Sequence, residues 1–141
     1  MVDQMENCLF CSIVAGKIPC HKVYEDSEVL GFLDIYPVHF GHTLIIPKNH
    51  YENILDLPEK KAQLVMAAAK KVAKAIMDSK LADGLNLVNS NGRAANQEVM
   101  HFHLHVVPRL IGDETGFKWV KKQATAEKLS DSAKKIRENL K

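Results

Sequence analysis

The sequence predicts an α+β domain: a five-stranded antiparallel sheet with one long helix and a C-terminal helix. Three observations predict it. Short β-branched and aromatic runs follow one another with tight turns between residues 23 and 47, the pattern of an antiparallel meander. Residues 60–80 carry apolar side chains at helical spacing. Residues 100–109, MHFHLHVVPR, alternate histidine with Phe102, Leu104 and Val106 at a period of two, which reads as a strand.

The elements follow in order. Residues 8–20, CLFCSIVAGKIPC, hold one or two helical turns around Ile13, Val14 and Ala15, closed by Gly16 and followed by Pro19. Strands are expected at 23–25, 29–35 and 42–47, with Asp26-Ser27-Glu28 turning between the first two and Pro37 and Gly41 punctuating the next connection. Asp56-Leu57-Pro58-Glu59 has the form of a helix start with an acidic cap. The helix then runs to about residue 80, with Val65, Ala69, Val72 and Ile76 on one stripe. Its lysines 70, 71 and 74 form a solvated face. Asp83-Gly84 ends this segment, and residues 85–89 are the fourth strand. The polar loop NSNGRAANQE over 89–98 runs into the histidine strand, 101–107. Leu129, Ala133, Ile136 and Leu140 mark a helix over 124–140. With no repeat, linker or low-complexity tract, residues 1–141 read as a single domain.

Composition narrows the function classes. The 141 residues suffice for one domain with a real core, and 46% apolar with 26% charged residues is ordinary for a soluble globular chain. A net charge of +2 is too small to make nucleic acid or a membrane surface the main partner. Residues 1–7 carry acids and no apolar core of a signal peptide, and no apolar run reaches membrane-span length, so a cytoplasmic location is expected. Three cysteines do not suit a disulfide framework. Cys8-x-x-Cys11 reads as a metal half-site or a redox pair, and the residues alone leave both open.

The histidines carry most of the functional information. On a strand, His101, His103 and His105 share one face at intervals of about 7 Å. A core needs no such row, because each buried imidazole must find a partner. An exposed polar face, a metal site and chemistry on an anionic substrate are the three readings. The 89–98 loop, with Gly92, suits backbone N–H groups turned towards an anion, or is simply a hairpin loop. His39 reads as a loop residue and His21 as a surface residue. His42, at the start of a strong apolar strand, is expected to point inward.

At this point a family resemblance enters. His101-Phe102-His103-Leu104-His105-Val106-Val107 matches the histidine-triad pattern, three histidines separated by apolar residues and followed by two more. Asp34-Ile35-x-Pro37-x-x-x-Gly41-His42-x-Leu44-Ile45-Ile46-Pro47-Lys48-x-His50 is similar to the family's central block, and Asn89 to Val99 also fits. The likeness covers about residues 8–110, leaving 111–141 as a C-terminal extension. The chain thus resembles the histidine triad (HIT) family, in its Hint-like, bacterial-type branch with a Cys-x-x-Cys zinc site. His105 stands where the uridylyltransferase branch carries glutamine, which sides with the hydrolases.

The resemblance implies a HIT-like fold, a homodimer with sheets joined, and a purine nucleotide substrate. It implies hydrolysis or nucleotidyl transfer at the α-phosphate, acting on nucleoside phosphoramidates or dinucleoside polyphosphates. His103 is then the nucleophile that forms a nucleotidyl-histidine intermediate, and His105 contacts the phosphate. His42 is the residue that orients the nucleophile's other nitrogen, a task a backbone carbonyl also performs. Asp34 accepts the ribose hydroxyls. Phe10, Ile13, Phe32, Ile35 and Leu44 line the base pocket. Asn89, Gln97, Glu98 and Val99 meet the phosphate, the last two through their backbone. Two departures stand out. Asn96 replaces a customary glycine, and Asn tolerates left-handed backbone better than most residues. Glu98 replaces a customary hydroxyl residue, and its charge would repel a phosphate if the side chain pointed inward. Cys8, Cys11, His50 and His101 match the zinc ligands, a closed Cys₂His₂ set that makes Zn²⁺ structural. Lys118 and Trp119 are candidates for substrate selection across the dimer. From other classes, a nucleotide-binding sensor with little turnover and a zinc-dependent structural protein are the alternatives.

Overall fold

A computed structural model describes residues 7–114 and 121–141. Lys118 and Trp119 lie outside the described residues. The chain forms α1 (Leu9–Val14), β1 (Lys22–Glu25), β2 (Val29–Leu33), β3 (Thr43–Pro47), α2 (Glu59–Asp78), β4 (Gly84–Val88), a 3₁₀ turn (Arg93–Ala95), β5 (Leu104–Arg109) and α3 (Ala126–Asn139). The sheet order is β1-β2-β3-β5-β4, with every pair antiparallel. The expected α+β architecture with five antiparallel strands and two longer helices is therefore present.

Both faces of the central strands are covered. On one face Val29, Ile45, Leu104 and Val106 pack with Val65, Ala68, Ala69, Val72 and Ile76 of α2. The two alanines let the helix come close to the sheet, and the stripe repeats at three- and four-residue spacing. On the other face Leu30, Phe32, Leu44 and Ile46 pack with Cys8 and Phe10 from α1 and the residue before it. This second face carries the site. The register aligns Phe32 with Leu44 and Leu44 with His105, so the three side chains form a row across β2, β3 and β5.

Three boundaries differ from expectation for identifiable reasons. The strand expected over 101–107 begins only at Leu104. Upstream, the backbone bonds elsewhere: Phe102 N–H donates to the Tyr51 carbonyl at 2.6 Å, and the Asn89 amide donates to the His103 carbonyl at 2.9 Å. The three histidines therefore do not form an even row on one strand face. Asp56 does not cap α2, whose N-cap is Pro58 without a side-chain bond. Its carboxylate instead accepts the N–H groups of Glu52 and Asn53, each at 3.0 Å. The second strand stops at Leu33 because Asp34 N–H joins the His42 carbonyl and its side chain accepts from Tyr36 N–H, starting the turn.

Gly41 closes that turn with a φ of +95°, and a Cβ there would lie 3.3 Å from Leu81 Cδ1. Gly41→Ala is expected to cost about 1–2 kcal/mol, from left-handed strain and the tight contact together. Urea unfolding measures this directly, and an unchanged midpoint would contradict it. No helix among the described residues is long and apolar enough to cross a membrane. No residue of α3 is buried.

Candidate active site and metal centre

The first cluster gathers residues from three separated parts of the chain. Cys8 precedes α1 and its Sγ accepts the Cys11 N–H, so one helical turn brings both thiols together. His50 follows β3, and His101 precedes β5. His101 Nδ1 lies 3.5 Å from both sulfurs, and His50 Nδ1 lies 3.3 Å from Cys11 Sγ. All four ligand atoms lie within 4.8 Å of one another. A tetrahedral zinc ion with bonds of about 2.3 Å to sulfur and 2.0 Å to nitrogen separates S and N ligand atoms by about 3.5 Å. The donor set and spacing fit zinc.

Two further features agree with that fit. The Nε2 of fully buried His101 donates to the Pro47 carbonyl at 2.9 Å, which leaves Nδ1 with its lone pair towards the sulfurs. Burial pushes the imidazole down to about 4, keeping it neutral as a ligand must be. Burial, reinforced by the adjacent Cys8, pushes the Cys11 thiol up to about 12, because a buried thiolate lacks the solvation or cation that would stabilise it.

The second cluster is His103, His105, His42 and Asp34. His103 is 6% exposed and its Nδ1 lies 2.7 Å from the His101 carbonyl. A carbonyl only accepts, so the proton is on Nδ1 and Nε2 carries a lone pair. Burial lowers the His103 pKa, which favours the neutral ring. His42, expected as the group that orients the nucleophile, meets His105 instead of His103. His42 Nδ1 accepts the Val38 N–H at 3.1 Å, so its proton sits on Nε2, which meets His105 Nδ1 at 2.9 Å. His105 then presents N–H at its Nε2. His42 orients the third histidine of the triad, and the His101 backbone orients the second. Burial lowers the His42 pKa, against the opposing pull of Asp34, 3.6 Å away.

Asp34, His42 and His105 also bring three ligand-type atoms within 4.8 Å. They do not suit a metal. A metal on His42 Nε2 forces the ring proton to Nδ1, where the Val38 N–H already points.

Burial pushes the His105 pKa down to about 4, against about 6.5 for a free imidazole. Between those values the unfolded chain takes up a proton that the folded chain refuses. Stability therefore falls as pH drops from about 6.5 towards about 4, levels off below, and is unaffected above. Urea unfolding across that range is expected to show the decline, and His105→Gln to make it shallower, the remainder coming from the other buried histidines. Equal slopes in both proteins would count against this account.

The remaining predicted residues divide. Phe10, Ile13, Phe32, Leu44 and Val99 share the apolar cluster on the site face. Phe10 stands edge-on to His103, with ring centroids 5.2 Å apart. Ile35 is 74% exposed and outside that cluster. Asp34 keeps Oδ2 towards His42 while Oδ1 accepts from Tyr36 N–H. Two expected phosphate contacts face elsewhere. Gln97 donates to the carbonyls of Glu52 and Val99 and accepts from Gly92 N–H, so its amide knits the loop together. Asn89 holds the His103 carbonyl and accepts from the Asn91 amide. Glu98 is exposed, so its charge can stay in solvent. Asn96 adopts φ 64°, ψ 33°, the left-handed geometry that its position demands.

Sequence reading assigned His39 to a loop and passed over Asp113. His39 Nε2 donates to Asp113 at 3.1 Å, beside an Arg109–Asp113 pair. Only contact across 74 residues reveals this, although a carboxylate four residues after Arg109 is a readable hint.

A sheet of this order, with paired imidazoles on one face and a Cys₂His₂ set at its end, defines a histidine-triad type of protein. The HIT domain family model matches residues 15–110. "Protein hit" of Bacillus subtilis is 50% identical over 115 residues, covering 81% of this chain and 79% of that one. A crystal structure of a zinc-bound histidine triad family protein from Mycobacterium smegmatis superposes with TM-score 0.76 at 38% identity, covering 92% of this chain and 99% of that one. Adenylylsulfatase HINT3 of Arabidopsis thaliana is 39% identical over 103 residues, covering 73% of this chain and 52% of that one. The chain belongs to the HIT family, a group of nucleotide hydrolases and transferases.

Proposed function

We propose that the protein hydrolyses or transfers purine nucleotides at the α-phosphate through a covalent nucleotidyl-His103 intermediate, acting on nucleoside phosphoramidates or dinucleoside polyphosphates. One observation carries this reading: the 2.7 Å bond from His103 Nδ1 to the His101 carbonyl, which leaves Nε2 as an unprotonated nucleophile. Nε2 attacks phosphorus, a P–N bond forms, and the bond to the leaving group breaks, with the electron pair departing on that group, which takes up a proton from solvent. Water then attacks the same phosphorus, releases a proton to solvent and returns the pair to Nε2. His105, with N–H at Nε2, supplies a donor for phosphate charge, and His42 keeps that tautomer in place. Asp34 accepts from the ribose, and Phe10, Phe32 and Leu44 supply an apolar wall. Asn89 and Gln97 act by shaping the loop.

Zinc held by Cys8, Cys11, His50 and His101 supplies structural cross-linking, since four protein ligands leave no place for a reacting water. The exposed Leu87 on edge strand β4 supports a homodimer with joined sheets. A monomeric mass by light scattering would remove that part of the reading.

The relative's name, adenylylsulfatase, adds adenylyl sulfate to the substrates worth comparing. The test is a panel of adenosine 5'-phosphoramidate, diadenosine polyphosphates and adenylyl sulfate, with mass spectrometry of acid- and base-quenched protein. Cleavage with a base-stable adduct on His103 is expected. Purine nucleotide binding with none of the panel cleaved would instead support a sensor.

A further inference from the structure

The Asp113 carboxylate is nearly enclosed, with 7% side-chain exposure, and four donors among the described residues meet it. Arg109 gives it two bonds, Nε at 2.8 Å and Nη2 at 2.6 Å, and Leu110 N–H adds a third at 3.0 Å. These hold the carboxyl well below the usual carboxylate range. Arg109 is itself anchored, with Nη1 on the Asn86 side chain at 2.9 Å. The fourth donor, His39 Nε2 at 3.1 Å, comes from a different part of the chain. His39 lies in the turn that carries the site: its carbonyl accepts the His42 N–H at 3.1 Å. One residue upstream, Val38 N–H donates to His42 Nδ1 at 3.1 Å, and His42 Nε2 meets His105.

We propose that Asp113 is a positioning residue that, through His39, holds the 38–42 turn so that His42 keeps its proton on Nε2 and donates it to His105. The proposal rests on the active-site reading above. Its physical basis is a tautomer choice. A neutral imidazole has two forms of similar energy, and one donor at Nδ1 selects between them. The Val38 N–H is that donor, so its position matters more than its own bond strength. If the turn loosens, His42 samples Nδ1–H, His105 Nδ1 loses its donor, and the His105 proton is no longer held at Nε2. The apolar wall does not depend on this chain of contacts. The loss therefore falls on turnover rather than on nucleotide affinity. Asp113 lies just beyond the residues matched by the family model, so the extension contributes to the site from its first turn.

The test uses Asp113→Asn and His39→Ala in the full-length protein. Each is expected to lower kcat about ten- to hundredfold with KM within about twofold, as for a group that shapes the transition state from a distance. The double variant is expected to be no slower than the worse single one, because both break one contact chain. Nitrogen-15 spectra of the histidine rings give an independent readout. The parent protein is expected to show His42 as Nε2–H, and each variant a mixture of both forms. Parent-like kcat or an unchanged His42 tautomer in His39→Ala overturns the proposal, even if Asp113→Asn is slow. Should Asp113→Asn not fold, His39→Ala decides alone, since it leaves the Arg109–Asp113 pair intact. If the parent protein cleaves nothing, the proposed function fails, while the ring spectra still decide whether Asp113 sets the tautomer.

Discussion

Replacing His103 with alanine is expected to lower turnover of a cleaved substrate by about four orders of magnitude or more, equivalent to about 5.5 kcal/mol of transition-state stabilisation. The physical reason is that no neighbour can take over the attack. His101 has its Nε2 on the Pro47 carbonyl and its Nδ1 facing two sulfurs. His105 has its Nδ1 lone pair occupied by His42 and presents a proton at Nε2. Only His103 combines a bound Nδ1 proton with a lone pair on Nε2 that no protein donor among the described residues occupies. AMP affinity is expected to stay within about threefold, since the wall of Phe32 and Leu44 and the Asp34 carboxylate are untouched. Equilibrium binding and single-turnover kinetics on the same variant separate the two quantities. Substantial remaining turnover would move the nucleophile elsewhere and sink the assignment.

Loss of the proposed zinc is the second large effect expected. The protein as isolated is expected to contain one zinc per chain. Cys11→Ser, or exhaustive chelation, is expected to lower stability by about 3–5 kcal/mol, which for a domain of this size is about 10 °C or more in Tm. The loss is bounded because a two-faced sheet core remains without the ion. Catalysis is expected to weaken as well, through His101. That residue faces the sulfurs with Nδ1 while its carbonyl holds the proton of His103. Loosening its ring therefore loosens the group that sets the nucleophile's tautomer. Metal analysis with calorimetry checks the first part, and kcat of the same sample checks the second. Zinc-free protein with an undiminished Tm after chelation would contradict both.

Much of the fold was readable because its signals are local. Val65, Ala69, Val72 and Ile76 announce α2 by spacing alone, and the runs at 29–33 and 43–47 announce central strands as short apolar stretches bounded by turn residues. Gly41 and Asn96 mark turns whose backbone angles few residues tolerate. Boundaries were less readable. His101 and His103 continue the strand pattern perfectly, yet tertiary partners at Tyr51 and Asn89 take their backbone bonds first. Asp56 has the composition of a cap and serves a loop instead, because the N–H groups of Glu52 and Asn53 are nearer.

The candidate site divides in the same way. Residue type and spacing determined which side chains are eligible: two cysteines one helical turn apart, three alternating histidines, and an aspartate and a histidine flanking one turn. Hydrogen bonding then assigned the tasks, and sequence contains no record of it. Imidazole has two nitrogens, and the partner of one decides what the other can do. His101, His103 and His105 are identical in sequence terms. They differ because Pro47, the His101 backbone and His42 respectively meet them in space. The sequence by itself determined the sheet, the helices and the set of chemical groups. Only the tertiary structure decided which imidazole faces the sulfurs, which keeps an unshared lone pair on Nε2, which carries its proton there, and that Asp113 meets His39 across 74 residues.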